Sequence, residues 1–370
     1  MMPASRIEPP FDLSPVPDAP AVFIIHLREG EPYVSRTRLL RRRLRRLLGP
    51  GSIAGRALRL GELATAVEYE LTPSTLAALL RHYELLNLHA PDGAARRLRL
   101  RPPVFVKVLL SNPWPRTVVS TRLSRGASFC FGPFQNKTTA ERFEQEVLDL
   151  FQVRRCFEDL VPSPDHPGCI YGEMGRCLRP CQEAVSREEY AAETARLVRF
   201  LETRCRSLLE SSAAARDRAS EDLDFEEALR WHDRWLRIRR AASLCGELAA
   251  PLDRLSGAAV LPSPVPGVLH IAVMLAGAWL PLCEFPVAAT GPALTLDSRL
   301  RSLFTSLAPP RLTLAQRSEH IALLAQWYFS ASRDAEWRPF SSLENIPYRA
   351  LVRDISRTAA ALAQGRLFEY

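Results

Sequence analysis

The sequence predicts an α+β chain in four parts. These are a small mixed α/β domain over 15–100, a cysteine-rich loop region over 101–185, a helical region with a hairpin over 186–245, and an atypical α/β tail over 251–370. Three observations predict it. Short β-branched apolar runs alternate with amphipathic helical patterns through the first 150 or so residues. Four of the eight cysteines fall between Cys156 and Cys181, among Pro167, Gly168, Gly172, Gly175 and Pro180, which break regular structure. Ser186-Arg-Glu-Glu189 then has the form of a capping box and opens a long helical stretch.

Taken in order, Ala21-Val-Phe-Ile-Ile-His-Leu27 reads as a strand, Arg28 to Pro32 as a turn, and Tyr33-Val-Ser35 as a second short strand. Leucines at 39, 40, 44, 47 and 48 give Arg36 to Leu48 a helical pattern. Val67 to Leu71 is expected to be a strand, and Thr72-Pro-Ser74 to open a helix reaching about Leu88. Further strands are expected at Val104–Leu110 and Thr117–Arg122, a tight aromatic turn at Phe129–Phe134, and an amphipathic helix over Thr138–Phe151. Beyond the cysteines, one helix is expected from Ser186 to about Glu210, followed by more helix, a break at Asp222–Phe225 and a return helix, which together make an αα-hairpin. Pro262, Pro264 and Pro266 read as a linker. Val268–Met274 and Trp279–Val287 read as a β-hairpin turning near Ala276-Gly277, and the remainder as mostly helical.

A net charge of +8 and a pI near 9.3 point to an anionic partner, nucleic acid before membrane surface. The charge is concentrated. Arg36, Arg38, Arg41, Arg42, Arg43, Arg45 and Arg46 put seven arginines in eleven residues, and Arg96, Arg97, Arg99 and Arg101 form a second patch. A guanidinium fork suits phosphate, so both patches are candidate DNA-binding surfaces. The most apolar segment, Gly267–Cys283, is shorter than a bilayer span, and residues 1–20 lack the apolar run of a signal peptide. A cytoplasmic chain with no membrane partner is expected. In a reducing compartment, clustered cysteines bind metal more readily than they form disulfides. The spacing Cys156-x12-Cys169-x7-Cys177-x3-Cys181 suits an iron–sulfur cluster. Zinc remains the competitor, although four-cysteine zinc sites usually come as two close pairs. Cys130, Cys205, Cys245 and Cys283 are scattered and read as small buried hydrophobes.

The runs Phe131-Gly-Pro-Phe134, Arg154-Arg-Cys156, Cys169-Ile-Tyr-Gly-Glu-Met-Gly-Arg-Cys177-Leu-Arg-Pro-Cys181 and Ser186-Arg-Glu-Glu-Tyr190 resemble the UvrC family, the UvrC component of the bacterial UvrABC excinuclease. Asp222-Leu-Asp-Phe-Glu-Glu-Ala-Leu-Arg-Trp-His-Asp233 resembles that family's UVR motif, a helical hairpin that docks on a like motif in UvrB. The resemblance implies a [4Fe–4S] cluster held by Cys156, Cys169, Cys177 and Cys181. It also implies a UvrB-like partner meeting Leu223, Phe225, Ala228, Leu229 and Trp231. An internal helical bundle with residues 186–212 is the alternative use of that apolar face.

The amino-terminal part resembles the family's GIY-YIG nuclease domain, which cuts 3′ to a lesion. The triplets stand as Ala21-Val-Phe23 and Tyr33-Val-Ser35. Tyr33 matches the tyrosine that orients the attacking water, and Arg43 the arginine that polarises the scissile phosphate. Arg36 stands where the family has lysine. The metal-binding glutamate position reads Arg81, and a cation cannot be ligated by arginine. Glu84 is the nearest carboxylate that could replace it. Full-length members continue into a second nuclease, for which the sequence up to Tyr370 offers no Asp-Asp-His constellation. The expectation is therefore a DNA-binding protein of nucleotide excision repair type with a degenerate nuclease domain. The first alternative is a single-incision endonuclease using Mg²⁺, and the second a redox-sensing DNA-binding module.

Overall fold

The computed structural model describes residues 5–49, 60–123, 128–288 and 295–364. The chain is mixed α/β. Residues 1–101, 256–310 and 326–370 form one compact unit, and residues 102–255 with 311–325 form a second.

The chain opens with β1 (Ser5–Ile7), β2 (Ala21–Leu27), β3 (Tyr33–Thr37), α1 (Leu40–Leu48), β4 (Ala64–Leu71) and α2 (Thr75–His89). The four strands make an antiparallel sheet in the order β1-β4-β2-β3. Alternation sends Ala21, Phe23 and Ile25 to one face of β2, where they bury against Leu40 and Leu44 of α1. The helix expected from Arg36 begins only at Leu40. Arg36 and Thr37 pair instead with Val22 and Ala21, so ladder hydrogen bonds override the local helical pattern. Likewise α2 starts at Thr75, its cap being the Ser74 hydroxyl that accepts from the Ala77 amide.

On α2, His82 is buried, and its Nε2 lies 3.4 Å from the Val34 carbonyl. Loss of solvent drops its pKa to about 4; the carbonyl contact opposes the drop and the charge of Arg36 adds to it. The unfolded chain binds this proton near its ordinary value of about 6.5. The neutral ring therefore contributes its full stability above pH 6.5 or so, and loses it as pH falls from there toward about 4. We expect urea melts to lose roughly 3 kcal/mol across that window, and His82→Gln to flatten the dependence.

The middle of the chain holds β5 (Val104–Leu109), β6 (Thr117–Ser120), β7 (Ser128–Phe134), α3 (Lys137–Leu148), α4 (Arg187–Glu202), α5 (Arg206–Glu221), α6 (Phe225–Leu244) and β8 (Ala250–Pro251). The sheet runs β6-β5-β7-β8. Phe129 to Phe134, expected to turn, is strand: Phe129, Cys130 and Phe131 pair with Val108, Lys107 and Val106. The aromatic rings supply the reason, because Phe131 and Phe134 bury against Phe143 of α3, with centroids 5.5 and 5.1 Å from its ring. The single helix expected over 186–210 is two. Arg204 and Cys205 both take left-handed backbone, which ends α4 and starts α5 in a new direction. The expected capping box is present, with Ser186 and Glu189 each accepting from the other's amide. At the foot of the α5–α6 hairpin, Cys205 and Cys245 bury their sulfurs 3.4 Å apart among Leu197, Phe200, Leu201 and Ile238.

The tail consists of β9 (Ser256–Pro262), β10 (Val268–Leu275), β11 (Ala278–Trp279), β12 (Cys283–Pro286), α7 (Leu296–Thr305), α8 (Leu314–Tyr328), β13 (Arg338–Phe340) and α9 (Tyr348–Ala363). The proline run is not a linker. It makes the short connection between β9 and β10, which pair from Pro262↔Leu269 to Gly257↔Met274. The hairpin turn lies at Ala276-Gly277 as expected, both with positive φ. Among the described residues no helix is long and apolar enough to cross a membrane, and the apolar Gly267–Cys283 stretch is spent on this sheet. Asp334 ties the tail to the first sheet. Its carboxylate accepts from the Thr75 amide (2.6 Å), the Thr75 hydroxyl (2.7 Å) and Trp327 Nε1 (2.9 Å), and so caps α2.

Candidate nucleic-acid surface and four-cysteine centre

Helix α1 carries arginine on every face that does not carry leucine. Arg43 lies ten residues after Tyr33, and the two meet: Arg43 Nη2 donates to the Tyr33 hydroxyl at 3.2 Å. Tyr33 also stands 6.2 Å, ring to ring, from Phe23, so the triplet phenylalanine is the wall behind it. Arg42 is held to Asp18. Among the described residues Arg38, Arg45 and Arg46 have no acidic partner. Arg36 and Arg38 line a cleft of about 730 Å³ with Thr72, Thr75, Arg333 and Asp334. In the second patch, Arg97 pairs with Glu31, whereas Arg96, Arg99 and Arg101 have no acidic partner among the described residues. Arg99 has left-handed backbone.

Arg81 is not brought to Tyr33 and Arg43. Its Nε donates to Glu70 at 2.8 Å and its Nη1 to Glu84 at 3.1 Å. Glu70 pairs across β2 with Val22, whereas Tyr69, the next residue of β4, pairs with Phe23. Successive strand residues face opposite ways, so Arg81 works on one face of the sheet and the Phe23–Tyr33 wall stands on the other. Glu84, the alternative carboxylate, is tied to Arg81.

The cysteine region is pinned by one residue that sequence reasoning passed over. Tyr190 of α4, wholly buried, donates to the Pro115 carbonyl (2.8 Å) and accepts from the Arg154 amide (2.9 Å). Its ring meets Trp114 edge-on at 5.3 Å. Gln152 adds a second anchor, its amide donating to Glu193 of α4 and its side chain to the Gly175 carbonyl. Gly168 and Gly175, both with positive φ, turn the loop where a side chain would be strained. Cys177 and Cys181 are buried, Cys156 is half-buried and Cys169 is exposed. Burial pushes the Cys177 thiol up to about 11; a hydrogen bond from the Arg179 amide opposes this, and the nearby Cys169, Cys156 and Cys181 add to it. Burial likewise raises Cys181, with Cys169 and Cys156 adding.

The donor set fits a metal–thiolate centre in its chemistry. Four soft sulfurs lie within residues 156–181, the Arg179 amide donates to Cys177 Sγ at 3.4 Å, and Arg154 Nη1 donates to Cys156 Sγ at 3.4 Å. Among the described residues no three Cys, His, Asp or Glu side chains stand at metal-bonding spacing.

The third candidate surface is the tip of the α5–α6 hairpin. Leu223, Phe225 and Leu229 are 72%, 68% and 61% exposed, and Ala228 and Trp231 are half-buried. Leu236, which the sequence reading did not single out, continues the stripe one heptad beyond Leu229. Trp235 is covered by Arg216 and Arg239. The foot of the hairpin joins the internal bundle through Ile238 and Ala242, whereas Leu223, Phe225 and Leu229 at the tip stand exposed.

Residues 104–200 match the family model of the UvrC/Cho excinuclease middle domain. This is the stretch from β5 through the four cysteines and most of α4. The chain is similar to the UvrABC system protein C of Lachnospira eligens, 25% identical over 237 residues, which is 62% of this chain and 38% of that protein. It is 27% identical to that of Moorella thermoacetica over 234 residues (63% and 37%), and 28% identical to that of Symbiobacterium thermophilum over 228 (61% and 36%). The match spans less than two fifths of the length of each of these relatives. No solved structure matches the chain at comparable significance. By its middle domain and by these relatives, the chain is UvrC-like.

Proposed function

We propose that this chain acts in nucleotide excision repair by holding DNA and docking on a UvrB-like partner, without cutting the strand. The observation that carries the reading is the engagement of Arg81 with Glu70 and Glu84. Phosphodiester cleavage by the GIY-YIG route needs a carboxylate-held divalent cation to offset charge on the leaving oxygen. The family resemblance puts that ligand at position 81, where an arginine stands instead, on the face of the sheet opposite Tyr33 and Arg43, and engages the two carboxylates nearest it. The Tyr33–Arg43 contact favours a second reading, a 3′-side endonuclease that would use Mg²⁺ with Glu84 or another carboxylate as ligand. Incubating the protein with a lesion-bearing duplex, UvrA, UvrB and Mg²⁺ separates the two. No nick is expected; a metal-dependent 3′ nick lost in Tyr33→Phe would establish the endonuclease.

DNA contact is assigned to Arg36, Arg38, Arg41, Arg42, Arg45 and Arg46, and to Arg96, Arg97, Arg99 and Arg101. Affinity for duplex DNA is expected to fall steeply with salt. Arg45→Ala with Arg46→Ala should reduce the log–log slope by about 0.9 for each phosphate contact removed. An unchanged slope would move the surface elsewhere. Cys156, Cys169, Cys177 and Cys181 are assigned to one centre, a [4Fe–4S] cluster with zinc as the alternative occupant. Such a group crosslinks the loop to itself. Leu223, Phe225, Ala228, Leu229 and Trp231 are assigned to the UvrB-like partner.

A further inference from the structure

We propose that Arg154 is the built-in counter-cation of the four-cysteine centre, supplying the positive charge that offsets a metal–thiolate group and donating to its first sulfur. The inference rests on the reading that the four cysteines hold one such group.

Arg154 is the largest fully buried side chain among the described residues, 1% exposed. Its Nε donates to the Trp114 carbonyl at 2.9 Å, and its Nη1 to the Glu158 carbonyl at 3.0 Å and to Cys156 Sγ at 3.4 Å. Its Nη2 has no partner among the described residues, and none of their carboxylates pairs with it. Asp149, the acid nearest in sequence on the preceding side, is taken by Arg155 and Arg176, and Glu193 by Arg196 and the Gln152 amide. An arginine cannot discharge itself by losing its proton, and a buried charge without an opposite one is strongly unfavourable. Carbonyl dipoles orient the fork but leave its charge uncancelled. The sulfur of Cys156 is the one group touching the guanidinium that becomes anionic on binding metal. A centre of four thiolates carries more negative charge than a divalent ion neutralises, so the two deficits answer each other.

The test uses the full chain, reduced and metal-free, titrated with Zn²⁺ against a chromophoric chelator and separately reconstituted with iron and sulfide. Arg154→Met is expected to weaken Zn²⁺ binding about 10–100-fold, the usual cost of losing an outer partner of a ligand. Arg154→Lys, which keeps the charge but loses the fork, is expected to recover most of it. The iron–sulfur form of Arg154→Met should show a more negative midpoint potential, because added electron density there loses its opposing charge. Equal Zn²⁺ affinity in wild type and Arg154→Met overturns the proposal, as does equal loss in Met and Lys, which marks a purely structural fork. Should Arg154→Met fail to fold by thermal melt, Arg154→Lys against Arg154→Gln carries the comparison, both keeping a donor and differing in charge. If wild type and Cys177→Ser take up neither Zn²⁺ nor a cluster, the four-thiolate reading fails and this proposal with it.

Discussion

Cys177→Ser is expected to emerge from purification without bound metal, whereas the wild type carries iron and sulfide, or zinc, in stoichiometric amount. Cys177 is the candidate ligand to choose because it is buried and its sulfur accepts from the Arg179 amide. A serine hydroxyl is a hard, neutral donor and does not replace a thiolate for a soft metal. The stability change should also be large. Metal-linked folding free energy in four-ligand zinc sites is on the order of 10 kcal/mol. The loop of residues 156–181 has little regular structure of its own, a helical turn at Ile170–Glu173 and a 3₁₀ turn at Pro180–Gln182. Metal analysis, visible absorption and amide exchange of this loop measure the effect together. Retention of metal with unchanged loop protection would show that Cys177 is a buried hydrophobe only.

The second large effect belongs to the hairpin tip. Phe225→Asp with Leu229→Asp is expected to weaken binding to a UvrB-like partner by at least about 100-fold, since central apolar anchors cost roughly 2 kcal/mol or more each. The melting temperature of the free chain should barely move, because both side chains are already in water. Ile238→Ala, two turns beyond Trp231 at the buried foot, is expected to behave oppositely. It should destabilise the fold by about 2–5 kcal/mol and leave the tip intact. Calorimetric titration beside thermal melts of both variants and the wild type reads both arms. Unchanged partner affinity in the Phe225/Leu229 variant would return the hairpin to a purely internal role.

Much of this could be read from residues in order, and the failures share a cause. The Ser186 capping box, the helix behind Ser74, the αα-hairpin and the Ala276-Gly277 turn are local devices, fixed by residues three or four apart, and they were legible. Phe129–Phe134 was not. Its glycine and proline read as a turn until the pairing with Val104–Leu109 and the packing on Phe143 are known. The same holds for Arg36, drawn into a strand by Val22, and for Pro262–Pro266, which reads as a linker only if Ser256–Pro262 is not seen as a strand. In the candidate sites, the cysteines and the hairpin apolar residues were visible by type and spacing. Arg154 was visible only as the first residue of Arg154-Arg-Cys156. Nothing in the sequence distinguishes a buried guanidinium from the other basic residues, because burial is set by Tyr190 and Trp114, which lie 36 and 40 residues away.

The Asp334 cap has a consequence for how the chain is made. Asp334 serves an amide that lies 259 residues earlier. Until translation has delivered it, the start of α2 has an incomplete set of acceptors, and the first sheet lacks the tail with which it shares a compact unit. The middle region, contiguous apart from one helical segment at 311–325, is free to consolidate on the ribosome first. Order of synthesis and order of completion are thus reversed, and a nascent chain arrested before residue 334 should leave α2 protease-sensitive while the middle is already resistant. In such a molecule the first sheet, although it leaves the ribosome before the middle region, is finished by a stretch that follows that region.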